Sequence, residues 1–545
     1  MKDTAAPEAP PPGESVTPEA PPFAPGRDVW LVICLLVLAG AAFLPALSGD
    51  FVWEDRPLVV DSGLIRSPGD ILAVFNRSFL SARPNSYHPL ATLTYLTDFQ
   101  VWRVNPVGYH TTNLTLHLIA TLLVYVVGTQ LLRRRDMAFA AGALFAVHPV
   151  HVQSVAWIAA RPQLLATCFA LFALLAYGHY VESFNNATAP RRRTRIRYWM
   201  SVVAFTLALF AHAAAAALVV LLPLYEVLVA RRRLDVQKGV LAVRPYLGFA
   251  AGIGLYLLAR WWALGYHLAV GLDVSAWPAY LYAMPLWGIR AIELLLLPVR
   301  SQPYLAAELI STPLRVDVII AVAAIVVLVV LIVRVRSQSP AVAFASWWVL
   351  LPLGLVLNPL PLPAPQLAER SLYLPSAGIA IIVGWAVVSA ADAAASRGRG
   401  RLRTLVILCF AGIIIAAASL SWSRIAWYRE DITLFSHMAR AAPTRALPHF
   451  NLGNAYLMRG DAARAIEEYR RAIAVRPTEK AYHNLGNAYL AAGRYEEAQD
   501  AYRRALALNP LARASATALT RAREAQLAEE GSAEAEAAPT GTAAQ

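Results

Sequence analysis

The stretch Val29-Trp-Leu-Val-Ile-Cys-Leu-Leu-Val-Leu-Ala-Gly-Ala-Ala-Phe-Leu-Pro-Ala-Leu47 carries no charged residue. At about 1.5 Å of rise per residue it reaches across a bilayer core of about 30 Å, so it reads as a membrane span. It has no basic flank of the kind a signal peptide shows, only Lys2 and Arg27 before it, so it reads as a retained anchor. The same pattern recurs along the 545 residues, of which 58% are apolar and only 15% charged, with a mean hydropathy of +0.48. That much apolar surface cannot be hidden inside a soluble particle of this size, which makes the chain a polytopic membrane protein. The net charge of +13 would suggest nucleic acid if the basic residues covered a folded surface. They lie instead in short Arg clusters between apolar runs, a topology signal that argues against a nucleic-acid partner. Cys34, Cys168 and Cys409 all fall in apolar segments, so neither disulfides nor a zinc site is indicated.

The Arg clusters set the sides. Arg133–Arg135, Arg191–Arg197, Arg231–Arg233, Arg334 with Arg336, and Arg397–Arg403 are expected in the cytoplasm. Between them the expected spans are 111–132, 137–150, 163–180, 199–211, 213–230, 246–264, 316–333, 341–357, 372–391 and 402–420, which with 29–47 makes about 11 crossings. The 199–230 stretch has Arg at both ends and so must be a hairpin, although each leg is short for a bilayer. Tyr280–Val299 is apolar as well, but a crossing there would place Arg334 and Arg336 outside, so it reads as interfacial or re-entrant. Two long outer loops remain, 48–110 and 265–315, rich in aromatic residues and proline. Residues 1–28 form a Pro-rich tail expected to be disordered, and 29–421 the membrane domain.

Beyond residue 422 the character changes. Asn451-Leu-Gly-Asn-Ala-Tyr-Leu457 recurs unchanged as Asn484–Leu490. Leu452, Gly453, Tyr456, Ala465, Tyr469, Ala472 and Pro477 return 33 residues later as Leu485, Gly486, Tyr489, Ala498, Tyr502, Ala505 and Pro510. This is the tetratricopeptide-repeat pattern. A half repeat precedes it at Leu434, Phe435 and Pro443, 512–528 suits a polar capping helix, and 529–545 is expected to be a disordered tail. The fold expected is all-α: a membrane helix bundle of about 11 spans followed by a short α-solenoid at 422–528.

Several polar constellations interrupt the apolar background. Phe51-Val-Trp-Glu54-Asp55-Arg56-Pro57 places adjacent carboxylates at a membrane exit, suited to general-base work or to a divalent cation. Solvated charges ending a span are the competing reading. His110, Asn113 and His117 share one helix face, which suits either interhelical hydrogen bonding or a wet cavity. His148 and His151 precede Arg161, and Glu369-Arg370-Ser-Leu-Tyr373 opens a later span. The two histidines lack an obvious third metal ligand, and the metal question stays open. An arginine at headgroup depth suits a phosphate, although snorkelling explains many. Glu369 and Arg370 suit a structural pair as well as a phosphate clamp.

Taken in order, Phe51–Arg56, Ser86-Tyr-His88-Pro-Leu90, Tyr109–His117, His148–Arg161 and Glu369–Ser376, with repeats behind them, resemble the transmembrane and tetratricopeptide-repeat-containing protein O-mannosyltransferases and their bacterial relatives, of the GT-C glycosyltransferase class. The resemblance runs from about Val29 to Ala528. It implies a polyprenyl-phosphate-linked sugar donor, mannose by likeness, a site with or without metal, and inverting transfer to Ser or Thr hydroxyls on the outer, periplasmic or lumenal, face. By position Glu54 and Asp55 match the family's acidic pair, one of them the base for the acceptor hydroxyl, and the letters do not choose between them. Arg161 and Arg370 would neutralise the departing lipid phosphate. Two departures stand out. Relatives carry a Lys-Glu pair where this chain reads Ala211-His212-Ala213, and His88 stands where many have Arg.

The repeats suggest an acceptor site of their own, since Asn451, Asn454, Asn484 and Asn487 resemble the asparagine ladder of the nucleocytoplasmic O-GlcNAc transferase. An amide both donates to and accepts from a peptide main chain. Docking of protein partners on a short groove is the equal alternative. Rival readings keep the chemistry but change the acceptor to a glycan or lipid, or discard the chemistry for a membrane-anchored scaffold. A transporter is disfavoured, with no inverted repeat and few mid-membrane charges. The Ala/Arg-rich composition suggests a bacterial inner membrane, with the repeats on the periplasmic side.

Overall fold

In a computed structural model of the chain, residues 25–76, 86–186, 188–230, 244–265, 275, 277–300, 302, 305–306, 309–357 and 366–537 are described. The expected disorder of 1–24 and 538–545, the Arg231–Arg233 cluster and the Pro-rich stretch 358–365 lie outside them. The described residues are almost all helical, with a single two-residue ladder pairing Leu305–Ala306 with Gln366–Leu367. Nine of these helices are long and apolar enough to cross a bilayer, or ten if a bent pair counts as one span. The chain is an integral membrane helix bundle with a helical repeat unit behind it.

Among the described residues these nine or ten stand beside the about 11 expected, and the helices differ from the expected spans at two places. The 199–230 hairpin exists, but its first leg is the helix Arg191–Ala211, which draws the Arg cluster into its own first turns. Extra length answers the shortness of that leg, and the arginines remove it from the apolar spans. The returning leg, Ala213–Leu228, is short and contains Pro223. In the other direction, Trp277–Leu296 is a helix of spanning length inside the expected outer loop 265–315. Its Arg290 and Glu293, one turn apart, neutralise each other at 2.6 Å.

The bent pair is Arg135–Val147 with Pro149–Ala156, turned by 48°. The residue before a proline avoids the helical region, and His148 is extended there at φ −66°, ψ 127°. The break re-aims the chain so that Trp157 to Arg161 fold back into the bundle. At the opposite end the Arg cluster finds acids: Arg133 bonds Glu182 at 2.8 Å, Arg135 meets Asp28 at 3.0 Å, and Arg134 meets Asp392 at 2.5 Å. Asp28 is buried in the helix Pro25–Phe43, so the last residues of the expected N-terminal tail are helical.

Behind the last span come Asp431–Ala441, Ala446–Met458, Ala462–Val475, Glu479–Ala491, Tyr495–Leu508 and Arg513–Ala537, stacked as helix pairs. Gly453 and Gly486 are demanded by the repeat's own tyrosines: a β-carbon there would sit 2.7 Å from Tyr469 and 2.5 Å from Tyr502. The final helix runs to Ala537, past the expected start of a disordered tail at 529. Leu434, Phe435, Leu452 and Ala455 belong to the same buried cluster as the membrane helices, so the first repeat helices and the bundle share one core.

Candidate active site

The two adjacent carboxylates face different surroundings. Trp53 adopts φ 52°, a left-handed conformation uncommon for a residue with a side chain, at the start of the turn that carries both. Asp55 is fully buried, and both its oxygens accept main-chain bonds, Oδ1 from the Ala159 amide at 2.7 Å and Oδ2 from the Val52 amide at 3.1 Å. Burial pushes its carboxyl well above the usual range, against the pull of those two amides. Asp55 therefore ties the first outer loop to the Trp157–Arg161 segment. Glu54 stays half-buried at the surface of the same turn.

Above that turn lies an aromatic stack. The Trp53 and Trp157 rings lie parallel, 5.0 Å apart and 8° from coplanar, and the Arg370 guanidinium sits 4.8 Å from the Trp157 ring. Arg370 is fixed through its main chain, whose amide donates to Gln153 Oε1 at 2.8 Å. The turn that begins at Trp53 and the Arg370 guanidinium, more than three hundred positions apart in sequence, are thus linked through the two tryptophan rings.

Arg161 is a correction to the sequence reading. It is fully buried, and its guanidinium meets Asp98 at 2.6 Å, Asn113 Oδ1 at 2.8 Å, the Tyr109 carbonyl at 3.0 Å and Thr94 Oγ1 at 3.2 Å. The Tyr95 ring covers it at 4.4 Å. A guanidinium so surrounded offers no face to a lipid phosphate; it locks the first outer loop onto the bundle. Asn113 serves the same network, donating also to the carbonyls of Val155 and Trp157 at 3.3 and 3.2 Å.

His110, His117, His148 and His151 are buried as well. His110 is buried against Gly49, whose β-carbon would lie 3.0 Å from its Nε2. His148 Nε2 donates to the Leu295 carbonyl at 3.0 Å, and His151 Nε2 lies 2.8 Å from Ser376 Oγ. The Tyr373 hydroxyl meets His117 Nδ1 at 2.7 Å inside the bundle. Glu369 is buried and accepts the Gln302 amide at 2.6 Å. Among the described residues no group of three or more His, Cys, Asp or Glu is placed to hold a metal ion.

His88 and His212, the two positions that depart from the resembled family, meet each other. Their rings stack in parallel, 5.2 Å apart, and His88 Nδ1 lies 2.9 Å from the Ala211 carbonyl. Burial, and then the neighbouring His212, Arg260 and Arg370, hold His88 well below the usual histidine range. Two substitutions that look independent in sequence are one local change, beside the Arg370 patch.

In the repeats, the Asn454 and Asn487 oxygens accept the Tyr469 and Tyr502 hydroxyls at 2.6 and 2.7 Å, and Asn484 Nδ2 donates to Asn454 Oδ1 at 2.8 Å. Each of these three amides thus has one atom engaged within or between the repeats. Asn451 is buried in the inner helix, its Nδ2 without a partner.

Sequence reasoning missed Trp53, Trp157, Asp98 and Asp431 as parts of this region. Both tryptophans lay inside strings already singled out. Asp98 had one available signal, a lone acid in the aromatic helix Pro89–Trp102.

Comparison with known proteins agrees with the fold and the resemblance. Tetratricopeptide-repeat families match residues 453–493 and 479–510. Over 160 residues the chain is 35% identical to the protein O-mannosyl-transferase F38B6.6 of Caenorhabditis elegans, covering 28% of this chain and 23% of that protein. It is 33% identical over 172 residues to protein O-mannosyl-transferase TMTC1 of Homo sapiens, covering 28% and 19%. The matches thus span about a fifth of the length of these relatives. Among solved structures, an oligosaccharyltransferase of Archaeoglobus fulgidus superposes with TM-score 0.40 and 12% identity over 73% of this chain and 55% of that one. ArnT of Cupriavidus metallidurans gives TM-score 0.39 and 13% identity over 88% and 80%. These two are too distant to add to the argument. Over its matched part, then, the chain is related to the protein O-mannosyl-transferases, with a membrane bundle joined to tetratricopeptide repeats.

Proposed function

We propose that the chain is an inverting membrane glycosyltransferase that moves a sugar, mannose by the likeness to its relatives, from a polyprenyl-phosphate donor to Ser or Thr hydroxyls at the outer face. Glu54 is the base, Asp55 its structural neighbour, and Arg370 the cation that receives the phosphate. The acceptor oxygen bonds to the anomeric carbon as the bond from that carbon to the phosphate oxygen breaks. The hydroxyl proton passes to the Glu54 carboxylate, and the charge left on the lipid phosphate is met by Arg370. The observation that carries this reading is the Trp53–Trp157–Arg370 stack, which puts the guanidinium within two aromatic layers of the turn bearing Glu54. The repeats would bring protein acceptors to that face. The site would face the periplasm of a bacterial inner membrane, although the matched relatives come from animals.

A scaffold without chemistry is the second reading. It is favoured by the His88–His212 stack, uncharged where the resemblance leads one to expect cations. The test is Glu54→Gln in the full chain, reconstituted in vesicles with polyprenyl-phosphate mannose and a Ser/Thr peptide. A loss of about 10²–10⁴-fold is expected for a missing general base. Undiminished transfer would exclude Glu54, and no transfer by either protein to peptide, glycan or lipid would leave the scaffold.

A further inference from the structure

The group that fixes the Glu54 turn comes from the far side of the membrane domain in sequence. Asp431 opens the helix Asp431–Ala441, the first after the last span. Its Oδ1 accepts the Trp53 amide at 2.7 Å, and its Oδ2 lies 3.7 Å from Arg56 Nε. One turn on, Phe435 sets its ring edgewise against the Trp53 indole at 5.9 Å. A second tie runs from the Asp50 amide to the Arg429 carbonyl at 3.0 Å. Thus the segment that carries Glu54 is held on one side by Trp157 of the membrane bundle and on the other by the start of the repeat unit.

Trp53 needs such holding. A left-handed conformation at a bulky residue persists only where the surroundings over-determine it. A hydrogen bond from the Trp53 amide to a carboxylate, closed by a second contact to Arg56, is a strong local constraint. The residue that follows is Glu54. Any relaxation at Trp53 rotates the chain direction of Glu54, and misplacement of a reacting group by about 1 Å costs on the order of 100-fold in rate.

We infer that Asp431 is a positioning residue for the transfer reaction: from the repeat unit it holds the Trp53 turn so that Glu54 is aimed at the acceptor hydroxyl. This rests on the reading of Glu54 as base. It makes the repeat unit part of the active site's framework as well as an acceptor arm, because the first repeat helix and the base are joined by one bonded turn.

The experiment uses the full chain in vesicles with polyprenyl-phosphate mannose and a short Ser/Thr peptide. Asp431→Ala should lower kcat roughly 10- to 100-fold with both KM values little changed. Asp431→Asn retains a carbonyl acceptor for the Trp53 amide and should recover most of that loss; it also serves if the alanine variant folds poorly. Amide hydrogen exchange over residues 50–56 should quicken in Asp431→Ala and stay near wild type in Asp431→Asn. In a Glu54→Asp background, which keeps a weakened base, Asp431→Ala should add less than about threefold, since groups that act as a unit are not additive. Full activity of Asp431→Ala beside an inactive Glu54→Gln would overturn the inference and leave the base intact. Effects that multiply in the Glu54→Asp background, with a raised peptide KM, would make Asp431 a docking residue and overturn it as well. An active Glu54→Gln would sink the base itself, a failure distinct from both.

Discussion

Arg161 and Arg370 look alike in sequence, each an arginine beside an apolar run at the outer end of a span, and the fold gives them opposite employment. Arg161 has every nitrogen of its guanidinium engaged, with Asp98 as its ionic partner and no exposed surface. Arg370 lays its guanidinium over Trp157 and is half-buried. The difference teaches that arginine type and depth do not make a phosphate site. What decides is the set of partners the fold gathers around the cation.

The sharpest way to break this contrast is to remove each arginine in turn. Arg161→Ala strands Asp98 in a buried site, a change that costs about 3–5 kcal/mol. The expected outcome is a protein that loses its single peak in size-exclusion chromatography in detergent, whatever its activity. Arg161→Met with Asp98→Leu should recover much of the folded fraction, because the uncompensated charge is gone. Should Arg161→Ala instead fold normally and fail only in donor use, the two arginines would be partners in one phosphate site and the contrast would collapse.

Arg370→Ala is the smaller and opposite change. Losing a partly exposed cation–π contact costs only about 0.5–1 kcal/mol of stability. Sugar transfer should fall roughly 100-fold, equivalent to about 2.7 kcal/mol of transition-state stabilisation, with donor use affected more than peptide use. Equal loss for donor and peptide would remove the phosphate role.

How much of this was legible in the letters depends on the range of the interaction. Membrane segments announce themselves by local composition, and the repeats by identity at a fixed spacing, so both were readable. The span boundaries differ where charge and helix overlap: the arginines at 191–197 read as a boundary but lie inside the helix Arg191–Ala211. The role of Arg161 was illegible because its partner, Asp98, lies in a different helix and no spacing rule joins the two. Glu54 and Asp55 were inseparable for another reason. Their division rests on burial and on the Val52 and Ala159 amides that bond Asp55, one of them from a segment a hundred positions away, which neither periodicity nor composition predicts. The tyrosines that bond two of the repeat asparagines were not legible as their partners, because they come fifteen positions later, on the second helix of each pair.

The smallest expected effect sharpens the same comparison through pH. His88 stacks on His212, and burial, His212, Arg260 and Arg370 together hold it below the ordinary histidine value of 6.5. In the folded protein it stays neutral, whereas in the unfolded chain it takes up a proton as the pH drops through 6.5. The unfolded state therefore binds more protons in that window, and stability falls on acidification. Between pH 7.5 and 5.5 the Tm in detergent should drop by roughly 2 °C more in the wild type than in His88→Gln. Arg370 is one of the charges that oppose protonation of His88. Burial is the largest cause and Arg370 the last of them, so Arg370→Ala should leave folded His88 neutral and the acid slope close to wild type in that window. The Arg161→Met, Asp98→Leu protein should keep the wild-type slope, since neither residue is among the groups that set His88. An acid slope that is the same in His88→Gln as in the wild type would show that the buried His88 is not the group that titrates.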